Sequence, residues 1–221
     1  MAVMAKSLFK LRKAPGHAPT QAPTQARSQA TVEVILEATA QLLEEDSPAA
    51  PSRIAARAGL SIGVLRQYFP NRDAILAAMT EREQLRILKG VDAALRQLDP
   101  EQPEAAIRAA LRFFLDAFQS RQKLRRQIIL TVLPRMPDAM RGRVVDAVLG
   151  EVLETLEERC GGRFRPLDGI GRFVLTRAVM GVVRSAVIEG VVDLREPALE
   201  EALLTLILRQ LAPETVATAV G

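Results

Sequence analysis

The stretch that most restricts the fold of this chain is AGLSIGVLRQYFPNRDAIL, residues 58–76, because several helix boundaries fall within it. Gly59 suits a tight turn, and Ser61 is a strong helix N-cap, since its hydroxyl can accept from a backbone N–H two or three residues later. Leu65 and Phe69, four residues apart, share one helix face. Pro70 biases Phe69 away from helical backbone. The sequence therefore predicts a short helix from Ser61 that ends near Phe69, with Leu65 and Phe69 pointing inward.

Longer amphipathic segments flank this short helix. Upstream, Val32, Ile35, Leu36, Leu42 and Leu43 repeat at helical spacing, with Thr39 filling an inward position between them. Pro51 opens a second short helix, in which Ile54 and Ala58 face inward, and Ile75, Leu76 and Met79 continue the pattern after Pro70. Helix, short helix, turn and short helix is the helix-turn-helix arrangement, whose second helix enters the major groove of DNA.

These residues carry a family resemblance. The segment IAARAGLSIGVLRQYFPNRDAIL resembles the N-terminal domain of the TetR family of bacterial transcriptional regulators, and the resemblance extends over about residues 29–79. The matching positions are Ile54, Ala55, Ala58, Gly59, Leu60, Ser61, Gly63, Leu65, Tyr68, Phe69, Asn71, Arg72, Asp73, Ile75 and Leu76.

The resemblance implies an all-α protein with an N-terminal three-helix bundle that contains the helix-turn-helix. This bundle would occupy residues 28–79, and a larger helical ligand-binding and dimerisation domain would occupy residues 80–221. It also implies a ligand-responsive repressor that binds a palindromic operator in double-stranded DNA as a homodimer.

Four positions depart from the usual family pattern. Ala50 replaces the Ser or Thr that caps the second helix, Ile62 replaces a basic or polar residue, Arg66 replaces Tyr, and Thr39 stands where Ala is more frequent. The base preference of a relative therefore does not transfer to this chain.

The predicted DNA-binding residues lie on the outer face of the short helix and around the starts of its neighbours. Arg66, flanked by Gln67 and Tyr68, is the predicted base-reading side chain, because arginine bound to guanine is the commonest specific base contact. Arg72, Ser52 and Arg53 are predicted to meet phosphates. The full set is Ser52, Arg53, Ser61, Ile62, Gly63, Val64, Arg66, Gln67, Tyr68 and Arg72.

The distribution of charge agrees with a DNA-binding head. Residues 51–72 contain four arginines and no acidic residue, whereas the whole chain has a net charge of only +4. Residues 1–27 are basic and rich in Ala, Pro, Thr and Gln, and they lack the apolar surface that would offset the entropy of ordering. We expect this tail to be disordered; whether it touches DNA phosphates is left open.

Breaker residues divide the rest of the chain into helical segments of about 80–98, 103–133, 137–159, 167–190 and 196–211. The small residues Ala178, Gly181 and Ser185 recur at a helical spacing that allows close approach of another helix, and Leu204, Ile207, Leu208 and Leu211 form one apolar stripe. In the TetR family the last two helices form a four-helix dimer interface, and the resemblance places that role here on 167–190 and 196–211. Ordinary internal packing is the alternative reading of each of these residues.

The resemblance also implies an effector, and the sequence indicates a small apolar or amphipathic one. Candidate pocket residues are Phe113, Phe114, Phe118, Met136, Met140, Phe173 and Met180, although each one taken singly fits plain core better than a pocket. One His and one Cys in the chain argue against a metal site, and no cofactor is expected.

Two other classes of function are weighed against a regulator. An all-helical enzyme would need paired carboxylates, an activated nucleophile or a phosphate-binding glycine loop, and the sequence offers no such motif. A nonspecific DNA-coating protein would spread its positive charge over the whole chain. Charges interrupt every long apolar run, so no membrane span or secretory leader is expected, and a single Cys suits the cytoplasm.

Overall fold

The computed structural model describes residues 26–97, 99, 101–136, 152–156, 158 and 162–212. The tail up to residue 25, Met140 and most of the predicted helix 137–159 lie outside these residues. Every regular element in the described ranges is helical, which confirms the all-α class. None of these helices is long and apolar enough to cross a membrane.

Eight α-helices are numbered here in chain order. They are α1 (Ala26–Glu44), α2 (Pro51–Arg57), α3 (Ile62–Tyr68), α4 (Arg72–Arg96), α5 (Pro103–Gln119), α6 (Gln122–Gln127), α7 (Gly169–Glu189) and α8 (Pro197–Leu211). After α6 the chain continues as a π-helical turn, Ile128–Val132, and a 3-10 turn, Leu133–Arg135. Residues 152–156 are also helical.

The chain divides into two compact units. The first contains the described residues of Met1–Ile87 and Ser120–Val144, and the second contains those of Leu88–Gln119 and Val145–Gly221. The first unit therefore contains the predicted DNA-binding head together with α6 and the two turns that follow α6.

The core of the first unit is built by the faces that the sequence pattern predicted. Its buried residues from the head include Ile35, Leu42, Ile54, Leu65, Phe69, Ile75 and Met79. Leu124, Ile128, Val132 and Met136 from the later segment belong to the same core. Thr39 is fully buried, as predicted, and its hydroxyl donates to the Ile35 carbonyl at 2.8 Å.

The two short helices begin and end where local signals predicted. Gly59 has φ +67°, a left-handed conformation that glycine adopts without strain. The Ser61 hydroxyl accepts from the Val64 N–H at 3.2 Å and caps α3. Pro51 is the first residue of α2, and Phe69, before Pro70, has the extended backbone that ends α3.

One predicted segment is wrong, because 103–133 is interrupted at Ser120 and Arg121. The segment 80–98 continues α4, which starts at Arg72. Arg121 has φ −130° and ψ 47°, although no Gly or Pro stands nearby. Its guanidinium bonds to Glu83 and Glu37, both distant in sequence, so a tertiary contact accompanies this break.

The π-helical turn has a local cause. Pro134 lacks an N–H, and in a regular helix its ring would clash with the carbonyl of Leu130. The backbone widens over Ile128–Val132 and then tightens into the 3-10 turn that contains Pro134.

In the second unit, α8 packs against α5 and α7, and α5 also contacts α7. The carboxylate of Asp168 caps α7 by accepting from the Gly171 N–H at 2.6 Å, and Gly190, with φ +67°, ends it. Arg108 and Arg112 on α5 bond to Glu200 on α8. The predicted helices 167–190 and 196–211 are confirmed to within two residues.

Candidate nucleic-acid interface

The helix α3 has one buried face and one open face. Leu65 and Phe69 are each 1% exposed and anchor it to the core. On the other side Arg66 and Gln67 are exposed, and so are Ile62 and Gly63 at the start of the helix. Tyr68 is half-buried and packs against the core. The structure therefore places Arg66 and Gln67, of the predicted reading residues, on a surface that the core does not use.

Arg66 and Gln67 have their hydrogen-bonding groups available. Neither side chain makes a hydrogen bond or ion pair with another residue in the described part of the chain. In the major groove the guanidinium of an arginine can donate two hydrogen bonds to guanine. The carboxamide of a glutamine can donate one hydrogen bond to adenine and accept another from it. The open face of α3 thus carries base-reading chemistry that internal contacts leave unoccupied.

The four arginines of the head are not equivalent. Arg57 donates twice to Glu45, at 2.8 and 2.7 Å, and the hydrogen bond raises the pKa of Arg57 and lowers that of Glu45. Arg53 is exposed and makes no hydrogen bond with another described residue. Arg53, Arg66 and Arg72 therefore form no ion pair in the described part of the head, although the charge of Arg53 also helps to lower the pKa of Glu45. Sequence analysis missed the neutralisation of Arg57 because Glu45 precedes the acid-free stretch.

The start of α2 lies beside α3 and carries two predicted phosphate contacts. Ser52 and Arg53 are exposed in its first turn. The N-cap residue, Ala50, has no side-chain hydrogen bond to offer. Arg72, the third predicted phosphate contact, donates from Nε to the carbonyl of Ala49 at 2.9 Å.

The first unit also contains a cluster of charged side chains around Glu83, which the sequence analysis missed. Glu83 is only 1% exposed, and its carboxylate accepts from four arginines. Its Oε1 bonds to Arg82 at 2.9 Å, Arg86 at 3.1 Å and Arg121 at 3.2 Å, and its Oε2 bonds to Arg125 at 3.1 Å. The available signal was that Glu83 follows the inward-facing Met79 by four residues, which is an unusual place for an acid.

Glu37 on α1 extends this cluster. Its carboxylate lies 2.9 Å from Arg82 and 3.1 Å from Arg121. Burial raises the pKa of Glu37, but Arg121 and Arg82 outweigh this effect and lower the pKa overall. Charges on α1, α4 and the start of α6 therefore hold the head and the later segment of the first unit together.

The predicted pocket residues are spread over several places. Phe114 and Phe118 are in contact, with ring centroids 4.9 Å apart, and the ring of Phe113 fills the space that a side chain on Gly90 would need. Phe173 is exposed, with the guanidinium of Arg177 4.8 Å above its ring, and Met180 is half-buried. Met136 belongs to the core of the first unit. Met140 lies outside the described residues.

The second unit also has an open groove of about 770 Å³ at the start of α7. Phe164, Leu167, Ile170 and Val174 line it together with Arg165. None of the predicted pocket residues within the described ranges lines this groove.

The predicted interface residues fall into two groups. Gly181 and Ser185 are exposed on α7, and Ala178, Ile207 and Leu208 are half-buried. Leu204 and Leu211 are buried inside their own chain, at 2% and 3% exposure, so internal packing accounts for both.

Comparison with known proteins identifies the head. Residues 35–79 match the family model described as bacterial regulatory proteins, tetR family. This match covers α2, α3 and the flanking parts of α1 and α4. It therefore includes the open face of α3 that carries Arg66 and Gln67. No curated protein is a significant match to the chain.

Solved structures share the fold over most of the chain. The fatty acid degradation regulator FadR from Bacillus halodurans aligns with TM-score 0.62 and 21% identity, covering 80% of this chain and 97% of FadR. FadR from Bacillus subtilis, solved in complex with stearoyl-CoA, aligns with TM-score 0.57 and 15% identity over 81% and 98%. The repressor AlkX from Dietzia sp. strain DQ12-45-1b, implicated in n-alkane biodegradation, aligns with TM-score 0.53 and 20% identity over 81% and 98%.

Proposed function

We propose that this chain, a DNA-binding transcriptional regulator of the TetR family, represses transcription as a homodimer on a palindromic operator and is released by a small effector. The observation that carries the proposal is the open face of α3. Arg66 and Gln67 are exposed there, and buried Leu65 and Phe69 hold the helix from the opposite side.

In this proposal α3 enters the major groove and its neighbours contact the DNA backbone. Arg66 and Gln67 read base edges, and Ser61, Ile62, Gly63, Val64 and Tyr68 border the contact. Ser52 and Arg53 at the start of α2, and the terminal nitrogens of Arg72, meet phosphates. Phosphate contacts fix the position of the head, whereas base contacts supply sequence preference.

A homodimer supplies the second reading helix. Two such helices meet successive major grooves when they are about 34–36 Å apart, and the two-fold symmetry of the dimer makes the operator palindromic. Exposed apolar residues on α7 and α8 support a subunit interface there: Ile170 is 75% exposed and Phe173 57% exposed, and Val174, Val182 and Leu206 are exposed as well. Among the predicted residues, Gly181 and Ser185 would allow close approach, and Ala178, Ile207 and Leu208 would add to the contact.

The effector is proposed to be a long-chain acyl compound, and an acyl-CoA is the first candidate. Support comes from the bound stearoyl-CoA in the B. subtilis FadR structure, which shares the fold over 81% of this chain. Apolar residues of the second unit such as Phe114, Phe118 and Met180 are candidates to line its site. An effector weakens operator binding only to the extent that it binds the released form better than the DNA-bound form.

Selection of operators from random duplexes tests the regulator proposal. We expect the full-length chain to recover a palindromic motif that survives an excess of random DNA. The Arg66→Ala variant, selected in parallel, should lose preference at one base position in each half-site. Recovery of no motif, with binding abolished by random DNA, would instead support nonspecific coating.

The effector proposal has its own measurement. Stearoyl-CoA is added to the complex of the protein with its selected operator, and coenzyme A without the acyl chain serves as the control. Release by stearoyl-CoA alone supports the proposal. Equal effects of both compounds, or of neither, would contradict it without affecting the assignment of the DNA site.

A further inference from the structure

We propose that Arg72 is a positioning residue for DNA recognition, because its Nε–H bond to the Ala49 carbonyl fixes the turn that leads into α2, a helix without a side-chain N-cap. The inference rests on the proposed function, in which α2 contacts phosphates while α3 reads bases. It separates two roles of one side chain: the charge of the guanidinium and the hydrogen bond made by its Nε.

The first observation concerns how the helices of the head begin. The Ser61 hydroxyl caps α3 by accepting from Val64 N–H, and Asn71 Oδ1 caps α4 by accepting from Ala74 N–H at 2.9 Å. In contrast, Ala50 precedes α2 and has no side-chain acceptor. A helix of seven residues is too short to be stable by itself, so the start of α2 depends on contacts from elsewhere.

The second observation identifies such a contact. Arg72 is the first residue of α4, and its Nε donates to the carbonyl of Ala49, one residue before the N-cap of α2. Ala49 is fully buried, and no other donor in the described part of the chain bonds to its carbonyl. One hydrogen bond across 23 positions therefore ties the starts of α2 and α4 together.

This bond determines how Ser52 and Arg53 are presented. Both residues are in the first turn of α2, and α2 packs directly against α3. If the chain before Pro51 were free to shift, the phosphate contacts of α2 would lose their fixed distance from Arg66. Misplaced phosphate contacts weaken binding when α3 is aligned with its preferred bases. The affinity for the specific operator therefore falls more than the affinity for random DNA.

Lysine separates the charge from the hydrogen bond. It keeps the positive charge, but all three donors of an ammonium sit on one nitrogen, so a bond to Ala49 and a phosphate contact compete for the position of that atom. In a guanidinium, Nε can bond to Ala49 while the two terminal nitrogens point elsewhere. Ala50→Ser supplies the missing N-cap directly, since serine at this position can accept from a backbone N–H in the first turn. The single variant Arg72→Lys and the double variant Arg72→Lys with Ala50→Ser are therefore a matched pair, which differs only in the N-cap of α2.

The experiment measures affinity for the selected operator and for a random duplex, at several salt concentrations, with the full-length chain. We expect Arg72→Lys to bind the operator about 3–10-fold more weakly, as loss of one hydrogen bond implies, with an unchanged salt dependence. Its affinity for the random duplex should change less. Adding Ala50→Ser should restore operator affinity to within about twofold of the original chain, whereas Ala50→Ser alone should change little.

Three results would overturn the proposal. Operator affinity of Arg72→Lys equal to the original would show that only the charge matters. Failure of Ala50→Ser to rescue Arg72→Lys, with both variants folded by thermal melting, would show that the bond does not act by stabilising the start of α2. Equal losses on both duplexes would identify a plain phosphate contact. If the original chain selects no operator, the proposed function fails instead. The effect of Ala50→Ser on Arg72→Lys is then measured as a change in melting temperature.

Discussion

Glu83 on α4 and Arg125 on α6 form an ion pair of 3.1 Å whose two side chains are only 2% and 7% exposed. Burial lowers the pKa of Arg125, while the adjacent carboxylate of Glu83 opposes that effect. Arg82, Arg86 and Arg121 also bond to Glu83, so four guanidinium groups share this one buried carboxylate. Glu37 adds a second negative charge beside Arg82 and Arg121.

Replacing Glu83 should therefore be costly. Glu83→Gln keeps the size of the side chain but leaves buried guanidinium groups without their counter-charge, and we expect a loss of about 3–5 kcal/mol in the free energy of unfolding. Urea denaturation measures it. The control is Glu33→Gln, because Glu33 is 59% exposed and lies 3.4 Å from Arg82. It should cost less than about 1 kcal/mol. Similar small losses in both variants would show that the cluster does not hold the unit together.

The same cluster predicts how stability depends on pH. The pKa of Glu37 is lowered from its ordinary value of 4.5, since Arg121 and Arg82 outweigh the effect of burial. A lowered folded-state pKa means that ionised Glu37 stabilises the fold above the unfolded-state value, and that this contribution is lost as the pH falls through the folded-state pKa. As the pH is lowered from about 6 to 3, the free energy of unfolding should fall, and it should fall less in Glu37→Gln than in the original chain. An identical pH profile in the two proteins would contradict this assignment.

The N-cap of α3 gives a local prediction. Ser61→Ala removes the acceptor for Val64 N–H, and we expect a loss of about 0.5–2 kcal/mol with weaker operator binding. Thermal melting and operator titration measure the two effects. Ser52→Ala is the matched control for stability, because Ser52 is exposed and its side chain makes no hydrogen bond with other described residues. Unchanged melting and affinity in Ser61→Ala would show that the cap does not support the reading helix.

Local signals were sufficient to predict the reading helix but not its surroundings. Gly59, Ser61 and Pro70 act within a few residues of themselves, so their effects could be read from spacing. The break at Arg121 and the pairing of Arg57 with Glu45 depend on where distant segments meet. Nothing in the sequence near either arginine encodes its partner.

The predicted dimer residues show the same limit. Apolar periodicity placed Leu204, Ile207, Leu208 and Leu211 on one stripe of α8, and the structure buries Leu204 and Leu211 within the chain. A helix that is apolar over a wide arc packs on several sides, and periodicity alone cannot separate its internal side from its external one.

Arg66 is expected to supply sequence preference. Arg66→Ala should lose about 1–3 kcal/mol on the selected operator and relax one base position, because a bidentate contact with guanine is removed. Binding curves on the operator and on variants of each base position measure it. Arg53→Ala is the matched arginine control and should weaken all duplexes alike, with a shallower salt dependence. A uniform loss in Arg66→Ala would identify Arg66 as a phosphate contact.

The proposed subunit interface can be tested at Gly181 without disturbing the chain itself. Gly181 is exposed in α7, and a Cβ built on it meets no atom within 4 Å. Leucine should therefore fit within the subunit, and the helix should gain about 0.8–1 kcal/mol from the loss of a mid-helix glycine. In a dimer that brings two copies of α7 close together, the new side chain would instead block the approach of the second subunit.

We expect Gly181→Leu to be a folded monomer whose operator affinity is strongly reduced, since a single head contacts only one half-site. Sedimentation equilibrium gives the mass, and operator titration gives the affinity. Ala105→Leu is the control, because Ala105 is exposed on α5, a helix that the proposed interface does not include. It should remain dimeric. A dimeric Gly181→Leu with the original operator affinity would place the subunit interface elsewhere, because a bulky side chain cannot be added at a close helix contact without cost.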